Sequence, residues 1–359
     1  MNKLLRAFKV FIFLIGLAGT ASAQDAVFSQ YFASSLYLSP CFAGIDPHFT
    51  VGVNTRTQWK SIGTPYVTNQ ISIIKPFYRY GLTDHNVGGV GISVFQDKAG
   101  DTGFQTLGAN VSGAYNIYAG EHHTITLGLQ VGVMQKQLSL DKLRWGSQYN
   151  PGLGEYDGEL LPDQIIQQGL LQERKMLIDV GAGIMYYFKA GRDRREKGMS
   201  FWLGYSAYHL NRPNESLIQG VKSNLPMMSK MLGGFEFTLG TRFNLSPNVL
   251  VAMQGRDVEA TKGMTNMQIN GGMYITYLLL DPTSDMKPKD LILGGWYRVN
   301  DSFIASVGIA SNLYTIGFSY DLNQSSLKTA TAGKGAWEVS LKIHIPKKEK
   351  VKRYYTPRI

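Results

Sequence analysis

Apolar and polar residues alternate with a period of two along most of the chain, the signature of strands with one apolar and one polar face. Near the C-terminus Trp337, Val339, Leu341, Ile343 and Ile345 alternate with Glu338, Ser340, Lys342 and His344. Tyr314, Ile316, Phe318 and Tyr320 alternate with Thr315, Gly317 and Ser319, and Phe303, Ala305, Val307 and Ile309 form one face of another run. Ile125, Leu127, Leu129, Val131 and Val133 oppose Thr124, Thr126, Gly128, Gln130 and Gly132. Such runs predict about fourteen strands, near residues 49–60, 66–77, 86–96, 102–118, 121–136, 175–188, 198–209, 227–243, 247–258, 264–278, 290–299, 302–311, 312–321 and 335–345. Their length suits tilted strands crossing a bilayer.

The expected fold class is all-β, a transmembrane antiparallel β-barrel of about fourteen strands. Hydrocarbon offers no partner to backbone N–H and C=O groups, so a spanning sheet must close on itself. An even strand count returns both termini to the periplasm, with short turns on that side and long loops outside. Gly120-Glu121 and Ser246-Pro247 read as tight periplasmic turns, and residues 138–174, 211–226 and 323–334 as external loops. Within the longest of these, residues 161–173 predict a short helix starting at Pro162. Lys189 to Lys197, Leu280 to Lys289 and the short Asn300-Asp301 turn fit this orientation less well.

Aromatic clusters at strand ends favour a barrel over a soluble β-sandwich. Tyr186-Tyr187-Phe188, Phe201-Trp202 with Tyr205, and Trp296-Tyr297 read as girdles at the two membrane interfaces. Composition agrees: only 17% of residues are charged, with 40 Gly and 20 Tyr, against about 25% charge in soluble domains.

The first residues bear on location. Lys3, Arg6 and Lys9 precede the apolar run Val10 to Leu17, and Ala21-Ser22-Ala23 gives a small-residue cleavage pattern. Four regions follow: a signal peptide at 1–23, a plug-like or periplasmic segment at 24–48, a barrel at 49–346 and a basic periplasmic tail at 347–359. The formal charge of +10 is largely terminal: the signal carries +3 and the tail +5, leaving +2 for the rest. A charge so placed on an exported chain argues against nucleic acid. The tail groups Lys347, Lys348, Lys350, Lys352 and Arg353 beside Tyr354 and Tyr355, so it reads either as a solvated end or as a tether to an acidic periplasmic partner. Cys41 is the single cysteine and allows no internal disulfide; it reads as a packed turn residue, and lipidation is disfavoured because it lies beyond the cleavage pattern.

Residues for catalysis or metal binding do not assemble locally. The neighbours His122 and His123 point to opposite faces if they lie on a strand, and they read as turn residues. Asp97, Asp101, Glu155, Asp157 and Glu159 are placed in external loops without the ordered spacing of a calcium loop. His344 is expected on the lumen face. Gly88-Gly89 and Gly233-Gly234 read as strand glycines allowing close backbone approach. No enzyme activity, cofactor or metal is expected.

The segment QDAVFSQYFASSLYLSPCFAG resembles the opening of the PorP/SprF family of type IX secretion outer-membrane proteins, through Phe28-Ser29-Gln30-Tyr31, Pro40 and Ala43-Gly44. Further blocks follow in order over nearly the whole chain. They are Arg56-Thr-Gln-Trp59-Lys60, His209-Leu-Asn-Arg-Pro-Asn214, Gly295-Trp-Tyr297-Arg298, Ile316-Gly-Phe-Ser-Tyr-Asp321 and Trp337-Glu338-Val-Ser-Leu341. Cys41 departs from the family pattern, as do the final block, which lacks the usual His before its Glu, and the basic tail. The resemblance implies an outer-membrane part of the secretion and gliding machinery. Its implied partners are a secreted adhesin or other cargo with a C-terminal secretion domain, the periplasmic ring or a peptidoglycan-binding protein, and outer-membrane lipid. A porin-like or hydrophobic-solute channel is the alternative. Phe28, Ser29, Gln30, Tyr31, Pro40 and Gly44 are candidate plug residues, and Trp59, Lys60, Tyr297 and Arg298 candidate architectural or docking residues.

Overall fold

The computed structural model describes residues 25–345 apart from 64, 80–81, 101–102, 153, 158–163, 191–198, 241, 256–265 and 280–288. The expected signal peptide and the basic tail, with Lys347, Lys348, Lys350, Lys352, Arg353, Tyr354 and Tyr355, lie outside the described residues.

Fourteen antiparallel strands close into one barrel among the described residues. They are β1 (Phe49–Gln58), β2 (Tyr66–Arg79), β3 (Leu82–Ala99), β4 (Phe104–Tyr118), β5 (His123–Gln137), β6 (Arg174–Lys189) and β7 (Met199–Tyr208). The circuit continues through β8 (Met228–Leu239), β9 (Phe243–Gln254), β10 (Asn266–Leu278), β11 (Asp290–Arg298), β12 (Ser302–Ala310), β13 (Tyr314–Asn323) and β14 (Lys334–Ile345). Each strand pairs with its neighbours in sequence, and β1 closes the circuit on β14 from Phe49 opposite Ile345 to Gln58 opposite Ala336. Closure satisfies both edges of every strand, which an isolated sheet in lipid could not do.

The barrel is apolar outside and polar inside. On β5, Leu127, Leu129 and Val131 are exposed, whereas Thr126 and Gln130, of the opposite parity, are buried in the lumen. On β14, Val339 and Ile343 face out while Glu338 and Ser340 face in. This is the inverse of a soluble domain and fits lipid as the outer solvent.

Three expectations about local structure change. Ser246 and Pro247 lie inside β9, opposite Tyr274 and Met273 of β10, and the turn falls between Leu239 and Phe243. Pairing of β9 with β8 is interrupted there, between Gly234–Asn248 and Phe237–Leu245. An irregularity of this kind tolerates a proline that has no N–H to donate. Asp97 lies within β3 and accepts a hydrogen bond from Thr68 Oγ1 at 2.6 Å, so it is not a loop residue. The loop helix spans only Gln164–Gln167.

Five of the eight expected girdle residues face outward and three inward, because neighbours on a strand point to opposite faces. Tyr186 packs outside against Phe201, and Phe201 against Phe235, at 6.2 and 4.9 Å between ring centres. Trp202 and Trp296 point inward and are buried, and Tyr187 packs against the internal core.

That core is built around residues 25–48, which run inside the barrel. The segment has two single-turn helices, α1 (Ser35–Leu38) and α2 (Phe42–Ile45). Its Tyr31, Phe32, Leu36, Leu38, Phe42 and Ala43 pack against barrel residues including Ile74, Met185, Trp202, Leu232, Tyr274 and Trp296. The segment therefore supplies the centre of the only large apolar cluster found in the lumen among the described residues.

Candidate functional site

The internal segment meets the barrel wall in three layers. The middle layer is a buried charge network. Arg56 on β1, Arg298 on β11, Asp321 on β13 and Glu338 on β14 each have an inward side chain that is almost fully buried. Arg56 Nη2 donates to Asp321 Oδ2 at 2.9 Å and Arg56 Nη1 to Glu338 Oε2 at 3.4 Å. Arg298 Nη1 reaches the same Asp321 oxygen at 3.2 Å and Asp301 at 2.8 Å, while its Nε donates to Asn270 at 3.1 Å. Two arginines facing two buried carboxylates offset much of the cost of removing those charges from water.

Ser29 and Gln30 complete this network. The Glu338 carboxylate accepts the backbone N–H of Ser29 at 2.7 Å and of Gln30 at 3.1 Å. The Ser29 hydroxyl donates to Asp321 at 2.7 Å and accepts from both arginines, with Arg298 Nη2 at 2.9 Å. Gln30 Nε2 donates to the Glu338 carbonyl at 3.0 Å, and Gln30 Oε1 accepts from Ser340 at 2.8 Å. Tyr31 hydrogen-bonds through its hydroxyl to Asn248, which also accepts from Trp296 Nε1 at 3.0 Å. Phe28 packs edge-on to Tyr37 at 5.5 Å. Residues far apart in sequence, the Phe28–Tyr31 block and Arg56, Arg298, Asp321 and Glu338, thus form one unit.

The layer nearest the start of β1 relies on close approach. Pro40 and Cys41 lie against Gly128 of β5, where an added Cβ would come 2.6 Å from Cys41 N. At Gly89 of β3 a Cβ would come 2.0 Å from the Ala43 carbonyl oxygen. Only glycine admits backbone this near. The Gly44 carbonyl accepts from Asn86 and Asn116 Nδ2, both at 2.7 Å. His344 faces the lumen, with Nδ1 3.2 Å from Thr50 Oγ1.

The third layer lies at the long-loop end. His209, directly after β7, stands between two carboxylates, with Nδ1 2.8 Å from Asp179 and Nε2 2.8 Å from Asp25. Burial alone would raise the Asp25 carboxyl and lower the His209 imidazole. Attraction between them, reinforced by Asp179 on the histidine and by Lys230 and Lys136 on Asp25, reverses both. Asp25 therefore ionises below the usual carboxylate range, and His209 is pushed up to about 10. Sequence reasoning placed His209 in a motif without a role, since neither carboxylate is near it in the chain.

The remaining candidates separate. Trp59 directly follows β1, with its backbone N–H on the Gly335 carbonyl at 2.8 Å and its ring edge-on to Tyr66 at 5.1 Å. Lys60 is exposed in the following turn, Lys60–Ile62. Tyr297 faces outward, 4.7 Å from the Phe303 ring, while the adjacent Arg298 is buried in the charge network.

A closed, outwardly apolar barrel whose lumen is filled by its own N-terminal segment defines a plugged outer-membrane barrel. The chain belongs to the PorP/SprF family: the model for "Type IX secretion system membrane protein PorP/SprF" matches residues 20–343. It is thus a membrane component of the type IX secretion system. No curated protein matches it. Among solved structures it is similar to the toluene transporter TodX of Pseudomonas putida, at 9% identity over 90% of this chain and 94% of that one, with a TM-score of 0.43. It is also similar to the toluene transporter TbuX of Ralstonia pickettii, at 10% identity over 87% and 92%, TM-score 0.40, and to the KdgM porin, at 8% identity over 83% and 99%, TM-score 0.35.

Proposed function

We propose that this protein is a non-catalytic interaction barrel of the secretion and gliding machinery and not a solute channel. Its long loops face outward and support export or surface attachment of an adhesin with a C-terminal secretion domain. Its other end docks to the periplasmic ring or a peptidoglycan-binding partner, and the signal peptide is cleaved after Ala23. The observation that carries this reading is the lumen filled by residues 25–48, packed through Tyr31, Phe32, Leu36 and Phe42 and pinned by the buried charge network. A channel needs a continuous wet path, and the aromatic and aliphatic side chains that this segment packs across the lumen argue against one.

Conductance in planar bilayers tests it. The intact protein gives no large stable conductance, whereas a variant lacking residues 25–46, checked for folding by heat-modified gel mobility, conducts. Steady conductance from the intact protein would instead favour a porin-like or hydrophobic-solute channel. Crosslinking in intact cells followed by purification is expected to recover both a secreted cargo and a periplasmic component. Within the same reading the basic tail is a tether. Removal of residues 351–359 should leave the barrel folded and weaken co-purification of the periplasmic partner, more steeply as salt screens the attraction.

A further inference from the structure

The described chain starts and the first strand starts at opposite ends of the lumen. Asp25 is bonded to His209 beyond the last residue of β7 and, through its N–H, to Gln254, the last residue of β9, at 3.3 Å. Both strands end there at long connections, residues 209–227 and 255–265. At the other end Pro47 accepts from Tyr78, one residue from the end of β2, and Thr50 of β1 sits beside His344, one residue from the end of β14. Between these points the contacts descend in order: Ser29 on Glu338, Phe32 on Lys342 at 2.7 Å, and Gly44 on Asn86. Residues 25–48 therefore thread the barrel lengthwise. Both termini are expected on the periplasmic side; β14 ends opposite the long loops, whereas Asp25 lies at the end where β7 and β9 run into them.

We infer that the mature N-terminus is displayed at the outer face of the membrane, held there by the Asp25–His209–Asp179 contact. The inference rests on the proposed orientation and on cleavage after Ala23. A chain cleaved there has a single residue, Gln24, before Asp25. That is too little chain to turn back through a lumen already filled by its own segment. The contact is built for holding. A cationic imidazole between two carboxylates makes two charge-assisted hydrogen bonds, and its side chain is 4% exposed. The elevated proton affinity of His209 keeps it charged at neutral pH.

Three epitope tags on the full-length protein test this: one inserted between Gln24 and Asp25, one at the exposed Gly152 in the longest loop, and one after Ile359. Antibody binding is measured on intact and permeabilised cells, with gel mobility reporting a folded barrel. The N-terminal and Gly152 tags should bind on intact cells, and the C-terminal tag only after permeabilisation. A Gly152 tag seen on intact cells with an N-terminal tag seen only after permeabilisation would overturn the inference and leave the orientation standing. A Gly152 tag seen only after permeabilisation would overturn the orientation and the inference with it. If the insertion prevents folding, Ala26→Cys in a Cys41→Ser background replaces it, read by a membrane-impermeant maleimide with the same two outcomes. His209→Ala should speed protease trimming of the N-terminal residues on intact cells by about tenfold, the effect of losing a charge-assisted contact. An unchanged rate would remove His209 from the holding role.

Discussion

The two halves of the internal segment are held by different physics on different walls. Residues 25–32 are bound by charge and hydrogen bonds to His209, which Asp179 holds from its other side, and to the Arg56–Asp321–Glu338–Arg298 network, most of it on β1, β11, β13 and β14. Residues 36–44 are bound by shape on β3 to β6, with Leu36 against Gly91, Ala43 against Gly89 and Cys41 against Gly128. Hydrogen bonds trade against water and yield modest net stability, while the cost of leaving one buried partner alone is large. Close packing gains little from any one contact but tolerates no added volume. One half is therefore vulnerable to deletion and the other to addition.

The largest expected effect comes from deletion in the first half. Arg56→Ala leaves Asp321 and Glu338 buried with one cation fewer, a change that costs about 3–5 kcal/mol in comparable sites. A lowered urea midpoint for the loss of heat-modified mobility would register it. An unchanged midpoint would mean that the network adds nothing to holding the segment. Addition in the second half comes next. Gly89→Ala places a methyl 2.0 Å from the Ala43 carbonyl oxygen and should cost about 1–3 kcal/mol. Gly113→Ala on β4, where a Cβ meets nothing within 4 Å, should be neutral in the same assay. Equal effects of the two substitutions would break the comparison.

A smaller effect is expected from pH at the long-loop end. His209 is charged up to about pH 10, so its contribution is fully present below its unfolded value of ~6.5 and lost as pH rises through about 10. Asp25 is depressed, so its contribution is present above about pH 4 and lost as pH falls below that. Trimming of the N-terminus should thus be flat between about pH 4 and 6.5, accelerate progressively as pH rises from there toward about 10, and accelerate again below about pH 4. The groups facing this pair act in the same sense: Asp179 raises the imidazole further, and Lys230 and Lys136 lower the Asp25 carboxyl. The smallest effect is outside the lumen. Tyr297→Ala removes one aromatic pair with Phe303, worth about 0.5–1.5 kcal/mol, and should lower barrel yield slightly without loosening the internal segment.

The number and approximate limits of the strands were readable because the rule behind them is local. Each residue of a spanning strand meets either lipid or lumen, so the alternation on β5 or β14 records the barrel directly in sequence. The same rule, applied to runs of aromatic residues without their parity, placed Trp202 and Trp296 in the girdles when they face the core. Ser246-Pro247 misled for a related reason: proline marks turns on average, but a strand can accept it where pairing is interrupted.

By itself the sequence determined the barrel, its inside-out polarity, the family, and the aromatic character of the segment before β1. Only the tertiary structure decided what that segment does: that Ser29 and Gln30 cap Glu338, 309 and 308 positions away, that His209 takes Asp25 as a partner, and that the segment runs toward the long loops. The physical reason is the range of the interactions. A strand's polarity is set by its immediate solvent and leaves a period, whereas a lumen contact joins side chains brought together only when the barrel closes, and it leaves none.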